Sequence, residues 1–190
     1  MTGAPTPMPC VIYLHGNASS RVQARTCLRQ VLAAGITVFA FDASGCGMSE
    51  GEFISLGWHE RDDLAQVVEQ LRESGTTTTI GLWGMSMGAV TALLHGDRDP
   101  SIAAMVLDSP FSSLEGLARE MAKNSGTSVP GFVLGAAVKM IRSTVQKKAK
   151  FDIKKLRPID HVDRCFIPAL FIAARDDTMV GPHHGSVCGV

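Results

Sequence analysis

The chain is 190 residues long and 45% hydrophobic, enough to bury a sizeable core and ordinary for one globular domain. Its 18 Lys and Arg balance 18 Asp and Glu, which removes any electrostatic case for nucleic acid or another strongly anionic partner. The 5 cysteines are odd in number and lack C-x-x-C spacing, so neither a disulfide framework nor a zinc site is suggested, and a reducing, cytoplasmic setting is the simpler inference.

Residues 1–8 are a polar, proline-bearing stretch without strand pattern or signal-peptide features, read as a disordered tail ahead of a single core spanning 9–190. Residues 9–14 form a continuous apolar run of strand length that ends in His15-Gly16-Asn17. The His-Gly corner turns the chain at the strand's C-terminal edge and presents a backbone N–H, that of Asn17. His15 itself reads as a scaffold residue packed under the loop. Next, Ser19 and Ser20 are N-cap candidates for a helix with apolar positions at Ala24, Cys27, Leu28, Val31 and Leu32, closed by Gly35.

A second strand over 36–42 runs into the glycine-rich loop Ala43-Ser44-Gly45-Cys46-Gly47-Met48-Ser49-Glu50-Gly51. The glycine spacing is G-x-G-x-x-x-G and helix-forming residues resume only near Gly57, too late to set a helix N-terminus on a pyrophosphate, so a dinucleotide site is a poor fit. Cys46 is a conceivable thiol nucleophile but has no partner motif. Trp58, Ala65, Val67, Val68 and Leu71 then follow helical spacing, with Glu60, Asp62 and Asp63 early and Arg72 late, as the helix dipole favours. That acidic cluster is a solvated helix start and lacks metal-ligand spacing.

The densest signal follows. Gly84-Met85-Ser86-Met87-Gly88 lies directly behind a short strand over 79–83 and directly ahead of the helical run 89–94. A G-x-S-x-G in this strand-turn-helix setting marks Ser86 as a nucleophile, because a turn that tight leaves room only for hydrogen at Gly84 and Gly88. Ser86 would stand at a helix N-terminus, where the N–H of Met87, together with that of Asn17, forms an oxyanion hole for a covalent acyl-transfer step.

Residues 102–108 are a fourth strand, followed by Asp108-Ser109-Pro110-Phe111, and Ser112-Ser113-Leu114-Glu115 is a capping-box pattern opening a helix through Met121. Residues 124–158 contain an apolar, glycine-bearing stretch and then a basic one (Lys147, Lys148, Lys150, Lys154, Lys155, Arg157), too short and charged for a membrane span. This segment reads as a short cover over the core, either one more packing helix with a solvated basic end or an amphipathic element able to accept an acyl chain or touch a membrane surface. A fifth strand over 168–174 precedes Arg175-Asp176-Asp177-Thr178-Met179-Val180.

Taken together, His15-Gly16-Asn17, the loop 42–51, the Gly84 to Gly88 turn and Asp108-Ser109-Pro110-Phe111 resemble the α/β-hydrolase superfamily, in particular the S33-type serine aminopeptidases and their esterase and thioesterase relatives with little cap. The resemblance implies a three-layer α/β fold with a mainly parallel sheet in the order 2-1-3-4-5, helices on both faces, and a Ser-Asp-His triad in that chain order. It implies Asp177, in its D-x-x-V setting, as the triad acid, with Asp176 forming the turn. The family's histidine usually lies a few tens of residues beyond the acid. Here His183 and His184 stand only six and seven positions past Asp177, so His184 is the candidate base although it is expected to point away from Ser86. The terminal strands of the family are likewise missing, and both ends look truncated. The expected activity is hydrolysis of an ester, thioester or small amide through an acyl-enzyme on Ser86, weakened by want of the histidine; the alternative is a non-catalytic hydrolase-fold protein. A small acyl substrate is the expected partner, and no cofactor or metal is required.

Overall fold

A computed structural model describes residues 6–124 and 131–184. Five strands, β1 (Met8–Leu14), β2 (Thr37–Ala40), β3 (Thr77–Met85), β4 (Met105–Asp108) and β5 (Ala169–Ile172), form one parallel sheet in the order β2-β1-β3-β4-β5. Helices α1 (Leu28–Ala33), α2 (Glu60–Glu73), α3 (Met87–Gly96), α4 (Leu114–Asn124), α5 (Gly131–Lys148) and α6 (Ile159–Val162) connect and cover it.

Strand alternation assigns the two faces. Ile12 and Leu14 of β1, with Ile80 and Leu82 of β3, pack against Leu64 and Val68 of α2 and Ala89 and Leu93 of α3. The intervening Tyr13 turns the other way and joins Ala24, Cys27 and Val31, with Val11, Val38 and Trp83 beside it. Each fully buried aliphatic side chain contributes about 1.5–3 kcal/mol, so the central strands β1 and β3 are the most firmly held part of the sheet. The outer strands are not: Phe39 of β2 and Leu170 and Ile172 of β5 are exposed.

Element ends differ from the sequence reading for tertiary reasons. β1 begins at Met8, whose partner in the sheet is Thr77, so the end of the supposed tail is a strand; residues 1–5 lie outside the described residues. β3 reaches back through Thr77 and Thr78, which alone read as loop. β2 stops at Ala40, before Asp42 turns to collect the N–H groups of Arg21 (2.6 Å) and Met48 (3.0 Å). The first helical segment is split into a 3-10 turn, Arg21–Thr26, and α1. The capping box does not form. Ser113 Oγ accepts the N–H of Gly116 at 3.2 Å, while Glu115 pairs with Arg119 along α4. Within 124–158, α5 is a continuous helix of 18 residues anchored by Arg142, whose guanidinium makes two bonds to Asp152 (2.7 and 2.6 Å). Among the described residues no helix is long and apolar enough to cross a membrane.

Candidate active site

Ser86 sits between the last residue of β3 and the first of α3 with φ 50° and ψ −112°. A non-glycine residue there costs about 1–3 kcal/mol and persists only where its surroundings overdetermine it. They do so here. The register pairs Met85 with Asp108, and the N–H of Ser86 donates to the Asp108 carbonyl at 2.7 Å. On the helix side the Ser86 carbonyl accepts the N–H of Val90 at 3.0 Å. Both ends of the residue are therefore pinned, one by the sheet and one by the helix.

The flanking glycines are steric requirements. A Cβ on Gly84 would be driven into the Gly88 carbonyl, and one on Gly88 into the carbonyl of Leu14 at the end of β1. The first turn of α3 can lie on the edge of β1 only because position 88 has no side chain. As first residue of α3, Met87 has no intrahelical acceptor for its N–H. Among the described residues no hydrogen bond engages the N–H of Asn17 either, and Asn17 is exposed.

Gly16 lies against the serine: a Cβ there would stand 3.9 Å from the Cβ of Ser86. Its N–H is held by Gln23 Oε1 at 2.8 Å, and Gln23 Nε2 reaches Met85 Sδ at 3.0 Å. Gln23 thus ties the β1 corner to the residue before the nucleophile. Sequence reasoning missed it because a glutamine in a short helical stretch carries no signal of a partner 62 positions away. His15 is buried; its Nε2 accepts the N–H of Ala43 (3.2 Å), so Nδ1 carries the proton and donates to the Gly16 carbonyl (2.8 Å). That ring supports two loops and has no nitrogen left for proton transfer.

The glycine-rich loop turns its donors inward. The N–H groups of Gly45, Cys46 and Ser49 go to carbonyls of the same loop and that of Met48 goes to Asp42. Donors spent on a carboxylate cannot cradle a phosphate. The N–H groups of Arg21 and Met48, aided by the Arg21 guanidinium, hold the Asp42 carboxyl below the usual carboxylate range. Cys46 packs with Ala43 and Met87, and burial, followed by the carboxylates of Glu60, Asp42 and Asp63, pushes its thiol up, which disfavours the nucleophilic thiolate.

On the acid side, Asp177 Oδ1 accepts the N–H groups of Met179 (2.8 Å) and Val180 (2.9 Å). The turn is therefore made by Asp177 and not by Asp176, which makes no such bond. Among the described residues Asp177 Oδ2 has no hydrogen-bond partner, so one oxygen is fixed and the other available.

His184 is buried on α4. Its Nδ1 faces the Ser112 hydroxyl (2.7 Å) and N–H (3.2 Å), and its Nε2 faces Glu120 Oε2 (3.1 Å). Neither Ser86 nor Asp177 is among its partners. Of the other rings, His59 meets the Ala149 carbonyl, His161 pairs with Asp97 and His183 with Glu120, while His95, buried in α3, has no hydrogen-bond partner on either nitrogen among the described residues and its Nε2 lies 3.5 Å from Asp99. None of the 6 histidines hydrogen-bonds the nucleophile or the acid.

The chain as a whole has relatives among known proteins. The family model described as serine aminopeptidase, S33 matches residues 5–157. The chain belongs to that family. The match covers the nucleophile turn and both proposed oxyanion donors and ends before Asp177. Curated relatives include the uncharacterized protein YqkD of Bacillus subtilis, 29% identical over 174 residues (90% of this chain, 55% of the relative), and the lysophosphatidylserine lipase ABHD12 of Xenopus tropicalis, 29% identical over 191 residues (95% and 46%). The chain spans about half the length of these relatives. An esterase from Pyrococcus furiosus, solved experimentally, superposes with a TM-score of 0.73 at 26% identity, covering 96% of this chain and 67% of the esterase. The fold is that of an α/β-hydrolase.

Proposed function

We propose that this chain carries the nucleophile half of a serine hydrolase that cleaves esters, thioesters or small amides bearing an apolar acyl group. The observation that carries the reading is the backbone of Ser86, held at φ 50° between β3 and α3. Strain of this kind clusters at functional sites and persists where the surrounding structure fixes it.

In the proposed reaction Ser86 Oγ bonds to the substrate carbonyl carbon, and the oxygen's growing charge is met by the N–H groups of Met87 and Asn17. The leaving alcohol, thiol or amine departs with a proton, and water then releases the acid and restores the serine. Asp177 is the group that would orient a histidine base. With no described histidine bonded to Ser86 or Asp177, the chain alone would turn over slowly, at the residual level of about 10³–10⁴ over water that oxyanion stabilisation and binding leave when a triad is incomplete.

An apolar cavity of about 330 Å³ supports the acyl preference. It is lined by Phe53, Leu56, Leu114, Val138, Val145 and Phe151 among others, between the loop after β2, α4 and α5. Its wall residue Leu56 also packs against the cluster of Ala43, Cys46 and Met87, the last of which follows the proposed nucleophile. Medium-chain acyl groups fit such a volume better than polar substrates do. The lipase name of the ABHD12 relatives agrees with this choice.

The test is hydrolysis of p-nitrophenyl acyl esters with and without added imidazole, which supplies a free base. Wild-type protein should show a slow, saturable rate that imidazole raises, favouring longer acyl chains over acetyl, and Ser86→Ala should show neither. Equal rates for wild type and Ser86→Ala at all imidazole concentrations would instead support a non-catalytic protein that binds through the same fold.

A further inference from the structure

We propose that Glu120, His183 and His184 form a binding site for one divalent transition-metal ion of the Zn²⁺ class, stapling the segment after β5 to α4. The three residues come from regions 63 and 64 positions apart, and each offers an atom to one point: His183 Nε2 lies 2.9 Å from Glu120 Oε1, and His184 Nε2 lies 3.1 Å from Glu120 Oε2. The set of candidate ligand atoms lies within 4.8 Å of one another. Around a four-coordinate ion bonded at about 2.0–2.1 Å, neighbouring ligand atoms sit about 3.3 Å apart, so only small side-chain rotations separate this arrangement from a coordination shell.

Donor chemistry selects the ion. Two imidazoles and one carboxylate suit Zn²⁺, Co²⁺, Ni²⁺ or Cu²⁺, whereas Ca²⁺ and Mg²⁺ require shells made mostly of oxygen. The outer shell is also in place. His184 is held in its buried position by the Ser112 hydroxyl, 2.7 Å from Nδ1. Nδ1 also accepts the Ser112 N–H at 3.2 Å, so without an ion the ring proton is on Nε2; an ion on Nε2 moves that proton to Nδ1, where the Ser112 hydroxyl oxygen accepts it in place of the N–H bond. The side chain of His183 is 59% exposed and that of Glu120 37%. An ion can therefore enter from solvent, and water can complete its shell.

The two imidazoles stack with ring centroids 4.4 Å apart. His184 follows Val180, whose N–H holds Asp177, by four residues, so the ion would also fix the loop that carries the acid. That consequence rests on the catalytic reading; the binding itself does not.

The experiment is titration of the purified chain with Co²⁺ and Zn²⁺, followed by visible absorption, calorimetry and thermal melting. Expected are one ion per chain, a d–d spectrum of a nitrogen and oxygen site, and a rise in Tm with Zn²⁺. His183→Ala, at an exposed position that folding does not need, should weaken binding at least about tenfold and remove the Tm rise, and Glu120→Gln should do likewise. Failure of wild type to bind, affinity unchanged in His183→Ala, or sulfur-to-cobalt absorption showing that cysteines hold the ion would each overturn the proposal.

Discussion

The Ser86 end and the Asp177 end of the sheet are built to different standards. Ser86 is fixed by β-register, by the first turn of α3 and by two glycines that nothing else could replace, amid the central strands β1 and β3. Asp177 hangs from β5, an exposed outer strand of four residues, and is shaped by its own turn and by neighbouring contacts to α4. A strained backbone conformation needs surroundings that over-specify it, whereas a proposed orienting carboxylate needs only a fixed oxygen. The difference teaches that the expensive geometry is placed where burial is deepest.

The contrast can be broken most forcefully at Gly88. Replacing it by Ala puts a methyl group into the Leu14 carbonyl, which must separate α3 from β1; destabilisation of at least about 3 kcal/mol is expected in urea melts. A loss under about 1 kcal/mol would mean that the elbow is looser than described. At the acid end, Asp177→Ala removes one acceptor for two N–H groups near the surface and should cost only about 1 kcal/mol, with Asp177→Asn nearly neutral because its amide oxygen can accept both. A cost equal to that of Gly88→Ala would erase the distinction.

The smallest effect is an acid limb. Asp42, which anchors the loop beside the nucleophile, has its carboxyl held low by the N–H groups of Arg21 and Met48. A carboxylate whose folded pKa is depressed contributes stability that is complete above its unfolded value, about 3.9, and is lost as pH falls through the folded one. Asp42→Asn should therefore flatten the decline of Tm below about pH 4. An unchanged acid limb would show that the loop does not depend on this charge.

Much of the nucleophile end was legible because its determinants are local. The order strand, Gly84 to Gly88, helix is written in consecutive residues, and the apolar runs of β1, β3 and β4 needed no partner to be read. What was not legible depends on partners far along the chain. Gln23 clamps Met85, Thr77 pairs with Met8, and Ser112 turns from a helix cap into a ligand of His184. The family pattern gives the turn to Asp176 and the acid to Asp177, and the two N–H groups that shape the turn, those of Met179 and Val180, go to Asp177, a pairing that sequence does not show. His184, the candidate base that sequence spacing expects to point away from Ser86, has its nitrogens occupied by Ser112 and Glu120.

The most direct measurement is active-site labelling of the intact chain with a fluorophosphonate in the presence of imidazole, followed by peptide mapping. A single phosphonylated residue, Ser86, with no labelling of Ser86→Ala, is the predicted result. Labelling at another residue, or none at Ser86 in a protein shown to be folded, would contradict the claim that this turn presents a nucleophile.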